Sequence, residues 1–145
     1  MNAPSDEWIQ KAEGDFISAL REYRARKLPN FDAAGFHAQQ CIEKYIKALL
    51  QKYHVRFEKI HDLLALKELC VSFFPELELH EESLGYLSQF AVAFRYPGES
   101  AGREHAKRAV KLMKELRLIL REIKSYCRIK AASARAAAQL RHALS

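Results

Sequence analysis

One amphipathic stretch decides the fold of this chain: residues 36–50 read Phe36-His37-Ala38-Gln39-Gln40-Cys41-Ile42-Glu43-Lys44-Tyr45-Ile46-Lys47-Ala48-Leu49-Leu50. At about 100° per residue, apolar side chains gather into a seam wide enough to be buried, formed by Ala34, Ala38, Ile42, Tyr45 and Leu49. A narrow stripe without acids runs beside it at spacings of three and four residues, and it contains His37, Gln40, Lys44, Lys47 and Gln51. Such a stripe is either an ordinary solvated face or a polar groove suited to a phosphate or a nucleotide.

Two helices are predicted in the first third of the chain. The first runs from about Asp6 to Lys27 with Ser5 as its N-cap. Its apolar residues recur every three or four positions, and they are Trp8, Ala12, Phe16, Ala19, Leu20 and Tyr23. Pro29 ends it, because proline cannot continue the hydrogen-bond ladder. Asn30 or Asp32 then caps the second helix, which contains the stretch above and ends near Tyr53.

Three further helices are predicted in the rest of the chain. Asp62 predicts the N-cap of a short third helix, which Phe73-Phe74-Pro75 ends. The acidic segment from Glu76 to Glu82 is expected to be a solvated linker. A fourth helix is expected from about Glu81 to Phe94, before the turn-forming Tyr96-Pro97-Gly98. The fifth and longest carries a heptad seam, made of Ala109, Met113, Leu116, Leu120, Ile123 and Cys127.

No segment shows the alternation of a β-strand, so the predicted fold is all-α. Antiparallel helices joined by short loops around one core form an up-and-down helical bundle, here of four to five helices. We expect this domain to cover residues 1–130. Residues 131–145 are rich in Ala and Arg, and they are expected to be either a helical continuation of the last helix or a disordered tail.

Composition places the chain among ordinary soluble globular proteins. Of its 145 residues, 49% are hydrophobic and 29% charged, and no apolar run approaches the roughly 20 residues that cross a bilayer. Residues 1–7 do not resemble a signal peptide. The three cysteines, Cys41, Cys70 and Cys127, lie among apolar neighbours and suit a reducing compartment. A cytoplasmic protein without a membrane partner is expected.

The positive charge is concentrated at the end of the sequence. From Lys124 onward there are five bases and no acid, whereas the preceding residues hold 19 bases against 18 acids. This distribution does not support a domain that is basic over its whole surface and coats nucleic acid.

Three motifs, in this order, resemble those of the HEPN family of small all-helical bacterial and archaeal domains. The first lies within residues 38–50 and is similar to the family's Gln-x-x-Glu-Lys-x-x-Lys helix. The second is His61-Asp62-Leu63, at the start of the short helix. The third is Phe94-Arg95-Tyr96-Pro97, which resembles the Arg-Tyr-Pro turn before the last long helix. The resemblance covers about residues 6–127.

This resemblance implies an up-and-down bundle that forms a homodimer through its helix faces. Many such proteins are encoded beside a minimal nucleotidyltransferase and form toxin–antitoxin or nucleotide-binding modules with it. A large branch consists of metal-independent endoribonucleases, which use an Arg and a His separated by four to six residues. This chain departs from that pattern, because the nearest His after Arg95 is His105, with nine residues between them.

Two other Arg–His pairs have the nuclease spacing, but a chain with this many Arg and His contains about that number by chance. They are Arg56 with His61 and Arg135 with His142. If the chain cleaves RNA, His105 or His61 would activate the ribose 2′-hydroxyl. Arg95, with Lys44 or Lys47, would then stabilise the charge on the phosphorane.

The favoured interpretation is a binding and interaction role, which requires no general base. Phosphate oxygens and a stacked base would be held by His37, Gln40, Lys44, Lys47, Arg95 and Tyr96. A third interpretation is a purely structural bundle, in which Glu43 pairs with Arg95 or a Lys and Asp62 and His61 support the short helix. No zinc-ligand spacing and no Gly-rich phosphate loop is present, so no metal or cofactor is expected.

Overall fold

The computed structural model describes residues 4–94 and 96–144, without the side chains of residues 127–131. Within these residues the chain forms five α-helices and two short 3₁₀ helices, and no strand. The α-helices are α1 (Pro4–Arg24), α2 (Phe31–Lys52), α3 (Leu63–Cys70), α4 (Glu81–Ser88) and α5 (Arg103–Leu144), and the 3₁₀ helices are Pro75–His80 and Gln89–Ala91. The predicted all-α helical bundle is confirmed.

Helix α2 lies at the centre of the bundle. It packs along α1 and α5 and also contacts α3 and α4. All five residues of its predicted apolar seam are buried in the core. The seam of α5 is buried from Ala109 to Ile123, while the predicted Cys127 lies outside the described side chains. The two longest helices therefore hold the core through the faces that the sequence predicts.

Two of the predicted helix caps are present. The Asn30 side chain accepts a hydrogen bond from the backbone N–H of Ala33 at 2.9 Å, and Asp62 accepts one from Leu64 at 3.0 Å. The predicted N-cap Ser5 is wrong, because α1 already begins at Pro4. Proline suits the first turn of a helix, where its fixed φ is helical and its missing N–H has no partner.

The prediction for the acidic segment is confirmed in one part and wrong in the other: its acids are exposed as expected, but the segment is not an irregular linker. Residues Pro75–His80 form a 3₁₀ helix that buries Leu77. The buried ammonium group of Lys67 lies 3.0 Å from Glu68, 3.1 Å from Glu78 and 3.4 Å from Glu81. Burial alone would lower the pKa of Lys67, but hydrogen bonds to Glu68 and Glu78 raise it above its ordinary value. The acids hold this segment against α3.

The fourth helix is shorter than predicted. It ends at Ser88 rather than near Phe94, and the chain continues as the 3₁₀ helix Gln89–Ala91. This tighter turn brings Phe90 into the core, where its ring lies directly over Gly35 of α2. The close approach requires a residue without a side chain at position 35.

Helix α5 continues without a break through Leu144, and residues 132–144 are exposed along their whole length. None of the helices in the described part of the chain combines the length and the apolar character needed to cross a membrane.

Candidate functional site

The polar stripe of α2 lies along the line of contact between α2 and α1. Trp8, Lys11 and Asp15 have the spacing of one helical face on α1. The Lys47 ammonium lies 5.5 Å from the centroid of the Trp8 ring, and the Lys44 ammonium lies 2.5 Å from Asp15 Oδ2. We use the name α1–α2 groove for this polar line of contact, which these residues form together with His37 and Gln40 of the stripe.

Asp15 holds two groups of the stripe at once. Its Oδ1 lies 2.8 Å from His37 Nδ1, and its Oδ2 accepts a hydrogen bond from Lys44. Asp15 is buried, whereas His37 is partly exposed and the Lys44 side chain is 22% exposed. Both sequence-predicted cations at this end of the groove therefore bond to one internal carboxylate.

Glu43 forms a second cluster of the same kind. Its Oε2 lies 3.0 Å from Lys47 Nζ and 3.2 Å from His61 Nδ1, and its Oε1 accepts a hydrogen bond from Gln39 at 3.0 Å. The side chains of Glu43 and Lys47 are only 2% and 5% exposed. The Lys47 ammonium also lies over the Phe57 ring, 5.7 Å from its centroid. Glu43 thus pairs with a lysine of its own helix.

Two glutamines connect the groove with the connector after α2. Gln40 donates a hydrogen bond to Gln39 at 2.8 Å, and Gln39 donates to the backbone carbonyl of His61 at 3.1 Å. Gln39 is fully buried, and sequence reasoning did not select it. The available signal was its position four residues before Glu43, where the two side chains share a helix face.

The paired charges of the groove are balanced. Lys44 bonds Asp15 and Lys47 bonds Glu43, so these two ion pairs carry no net charge. The Lys44 side chain is the more exposed of the two lysines, at 22% against 5% for Lys47. An anion that approaches the groove would therefore meet Lys44 first, although this lysine already bonds a carboxylate.

His61 is a carboxylate-oriented histidine at the surface. Its side chain is 64% exposed, and its Nδ1 faces the buried Glu43. If Nδ1 donates its proton to that carboxylate, the neutral ring has its lone pair on Nε2. The geometry therefore allows His61 to accept a proton from a group outside the protein.

In His105 the roles of the two ring nitrogens are the reverse of those in His61. Its Nδ1 accepts a hydrogen bond from the backbone N–H of Gly102 at 3.0 Å, so the neutral ring carries its proton on Nε2. The ring lies against Phe94, with 5.6 Å between the ring centroids. In this state His105 can donate a hydrogen bond through Nε2 but has no free lone pair with which to act as a base.

An aromatic depression of about 370 Å³ lies beside the His37 end of the groove. It is lined by Asn30, Asp32, Ala33, Phe36, Phe90 and Phe94. The Phe36 ring also contacts the His37 ring, with 5.6 Å between centroids. Tyr96, two residues beyond Phe94, is exposed. Arg95, which belongs to both predicted site sets, lies outside the described residues.

Asp62 has a structural position. Besides capping α3, its Oδ1 accepts a hydrogen bond from the Ser88 hydroxyl at 3.1 Å. The same hydroxyl accepts from the backbone N–H of Leu63 at 3.1 Å. Asp62 thereby joins the start of α3 to the end of α4.

A third polar cluster was not predicted from the sequence. Glu13 of α1 accepts three hydrogen bonds from Arg117 of α5, at 2.9, 3.1 and 3.3 Å, and one from the Tyr45 hydroxyl. Burial alone would raise the pKa of Glu13, but the bonds from Arg117 and Tyr45 lower it below its ordinary value. Burial raises the pKa of Tyr45. The cluster ties three helices together.

The described side chains contain no group of three or more His, Cys, Asp or Glu residues positioned to hold a metal ion. Cys41 and Cys70 are buried and unbridged. Burial raises the pKa of the Cys41 thiol and raises that of Cys70 to about 12. Neither thiol is a reactive nucleophile at neutral pH.

A family model of the HEPN domain matches residues 5–123. The match contains the α1–α2 groove, the Glu43 cluster and the aromatic depression, and it ends at Ile123, the last residue of the buried α5 seam. No curated protein and no solved structure matches the chain significantly.

Proposed function

Because the chain belongs to the HEPN domain family, which is consistent with a nucleotide- or RNA-related function, we propose that it is a nucleotide- or RNA-binding and protein-interaction module. In this proposal it acts as a cytoplasmic homodimer and as the partner of a minimal nucleotidyltransferase in a two-component, toxin–antitoxin-like system. Its nuclease motif is degenerate. A small nucleotidyltransferase gene beside its own would support the partner assignment.

The observation that carries the binding proposal is the position of Lys44. Its ammonium group has three N–H donors, and one of them bonds Asp15. The side chain is 22% exposed along the line of contact between α1 and α2. Charge-assisted bonds from such donors to phosphate oxygens are stronger than bonds between neutral groups.

The aromatic depression supplies the second part of the proposed site. A phosphate near Lys44 and His37 would lie beside the depression, because Phe36 contacts His37 and also lines it. Phe36 and Phe94 offer ring faces or edges to a nucleobase, and exposed Tyr96 follows in the chain. Arg95 completes the set predicted from the sequence.

Replacing Lys44 by glutamine tests the binding proposal. Glutamine keeps a polar side chain with N–H donors, one atom shorter than lysine, but it removes the charge that would hold a phosphate. We expect the affinity for a nucleoside triphosphate, measured by calorimetry, to fall by about tenfold or more. Lys27→Gln removes an exposed lysine outside the groove and serves as the control. Equal affinities in the wild type and both variants would exclude phosphate binding in the groove.

A metal-independent endoribonuclease is the second candidate function, and one observation favours it. The buried Glu43 carboxylate orients an exposed histidine, His61, beside the Lys47 ammonium. A base of this kind activates the ribose 2′-hydroxyl, and a nearby cation stabilises the charge that develops on the phosphate.

The nuclease candidate predicts different results for the two histidines. His61→Ala should abolish cleavage of a single-stranded RNA, followed on a denaturing gel. His105→Ala should retain most of the activity, because Nδ1 of that ring is already an acceptor for Gly102. If the purified wild-type protein leaves the RNA intact, the nuclease function is rejected.

A further inference from the structure

The positive charge of the protein belongs to one helix rather than to the end of the sequence. Helix α5 carries twelve Lys and Arg against three Glu, whereas the rest of the chain carries twelve against fifteen acids. The bundle outside α5 is therefore slightly acidic. The excess of positive charge therefore lies on a single helix, and the bases of that helix share a defined surface.

The bases of α5 include a regular row. Starting from Lys107, every seventh residue is basic or a histidine, and the row consists of Lys107, Lys114, Arg121, Arg128, Arg135 and His142. Seven residues are just under two helical turns, so the row drifts by only about 20° at each step. It spans roughly 50 Å of helix at about 1.5 Å per residue. We call it the basic row.

The basic row lies away from the core. Lys107, Lys114 and Arg135 are exposed; Lys107 and Lys114 lie on the side of α5 away from its buried seam, and Arg135 lies beyond the end of that seam. Arg121 is half exposed, and one of its guanidinium nitrogens lies 3.8 Å from Glu13. Lys107 and Lys114 on the bundle and Arg135 in the extension are therefore open to solvent, and the side chain of Arg128 lies outside the described part of the chain.

We propose that the basic row binds the phosphate backbone of an RNA strand. The inference rests on the proposed nucleotide- or RNA-binding function and extends it from a single nucleotide to a strand. Contacts to phosphate groups need positive charge and N–H donors, but they do not need a pocket shaped to fit each nucleotide. A row of about 50 Å exceeds what one nucleotide can cover, so an extended polyanion fits it.

The chemistry of the row favours a nucleic acid over a protein partner. The centre of a protein interface is depleted in lysine and rich in aromatic or aliphatic anchors. Around Arg135 the row is flanked instead by small exposed side chains, such as Ala132 and Ala136. The exposed Leu140 and Leu144 of the extension lie on another side of the helix, while the exposed Leu118 lies beside the row on the bundle. The small side chains around Arg135 let a phosphate backbone approach it without obstruction.

Two triple variants of the full chain test the proposal with the same change in net charge. The row variant combines Lys107→Gln, Lys114→Gln and Arg135→Gln. The control variant combines Arg26→Gln, Lys27→Gln and Lys59→Gln, which are exposed and lie outside α5. All six side chains are exposed, so both variants should fold as the wild type does, as circular dichroism can verify.

The measurement is the anisotropy of a fluorescent single-stranded RNA of about 20 nucleotides at several salt concentrations. Loss of three phosphate contacts should reduce the slope of log affinity against log salt by about 2, at roughly 0.7 per contact. The affinity of the row variant should fall at least tenfold at about 0.1 M salt, while the control variant should bind as the wild type does. A loss of equal size in both variants, or in neither, would overturn the proposal.

Binding of a nucleoside triphosphate separates this inference from the proposed function. If the triphosphate binds through Lys44 but the row variant binds RNA normally, the row proposal fails alone. If RNA binding depends on the row and no triphosphate binds, the groove proposal fails and the row stands. If the row variant shifts the mass in solution from twice 16.7 kDa to one chain without affecting RNA binding, the row joins two copies and the proposal is overturned.

Discussion

Replacing Gly35 by alanine is expected to lower the free energy of unfolding by about 2–3 kcal/mol. A Cβ atom at position 35 would lie 2.1 Å from Cδ1 and 2.3 Å from Cε1 of Phe90, far inside van der Waals contact. Phe90 cannot easily move away, because it is buried and packs against the rings of Tyr86 and Phe94, with centroids 5.7 and 5.0 Å away. The strain should outweigh the gain in helix propensity from alanine.

Gly14→Ala is the matched control for this prediction. Gly14 also lies inside a helix, but no heavy atom lies within 4 Å of a Cβ built there. Alanine should therefore stabilise the protein by about 0.5–1 kcal/mol through helix propensity alone. Denaturant unfolding of both variants gives the comparison. If Gly35→Ala is as stable as Gly14→Ala, the close packing of Phe90 on α2 is wrong.

Replacing Glu43 by alanine is expected to destabilise the protein by about 3–5 kcal/mol, because it leaves a buried positive charge without its partner. The Lys47 ammonium would keep only its contacts with the Trp8 and Phe57 rings. Gln39 would also lose an acceptor for its amide group. Denaturant unfolding monitored by circular dichroism measures the effect.

Two further variants test whether the loss of stability in Glu43→Ala comes from the unpaired buried charge. Glu43→Leu combined with Lys47→Met removes both charges at similar volume, and it should recover most of the lost stability. Glu82→Ala breaks an exposed pair with Arg108 at 3.7 Å and should change stability by less than about 1 kcal/mol. If Glu43→Ala is no more harmful than Glu82→Ala, the cluster around Glu43 does not stabilise the fold.

The sequence predicted the elements whose signals are local. The seam of α2 repeats at helical spacing, and Asn30 and Asp62 stand immediately before the helices that they cap. Pro29 separates the first two helices. Each of these features depends on residues within one or two turns of each other, so the residue pattern is sufficient to place it.

The partners of the polar stripe could not be predicted in the same way. Asp15, which bonds His37 and Lys44, precedes them by 22 and 29 residues. Glu13 meets Arg117 across 104 residues. These pairings depend on which faces of the helices meet in the bundle, and local spacing does not contain that information. The stripe was therefore recognised as polar and Glu43 was considered as the partner of a lysine, whereas the role of Asp15 was not predicted.

The arrangement of charged residues in space could not be predicted from their order along the chain. The acids of residues 76–82 suggested a solvated linker, because nothing in the local pattern shows that Lys67 is buried against them. Dividing the chain at Lys124 assigned the excess of bases to a tail. Once α5 is seen as one helix from Arg103 to Leu144, the same bases form a row along its length.

In the extension of α5 beyond the bundle, binding of a ligand and formation of the helix should be coupled. Residues 132–144 have exposed side chains throughout, and isolated helices of about this length are marginal in water. Amide hydrogens in this extension should exchange with solvent through local opening at small free energy, whereas those in the middle of α2 exchange only when the whole domain unfolds. A polyanion that binds only the helical form would slow exchange at the end of α5 and leave α2 unaffected. Slower amide hydrogen exchange at the end of α5 would therefore show that a ligand has bound there and stabilised the helix.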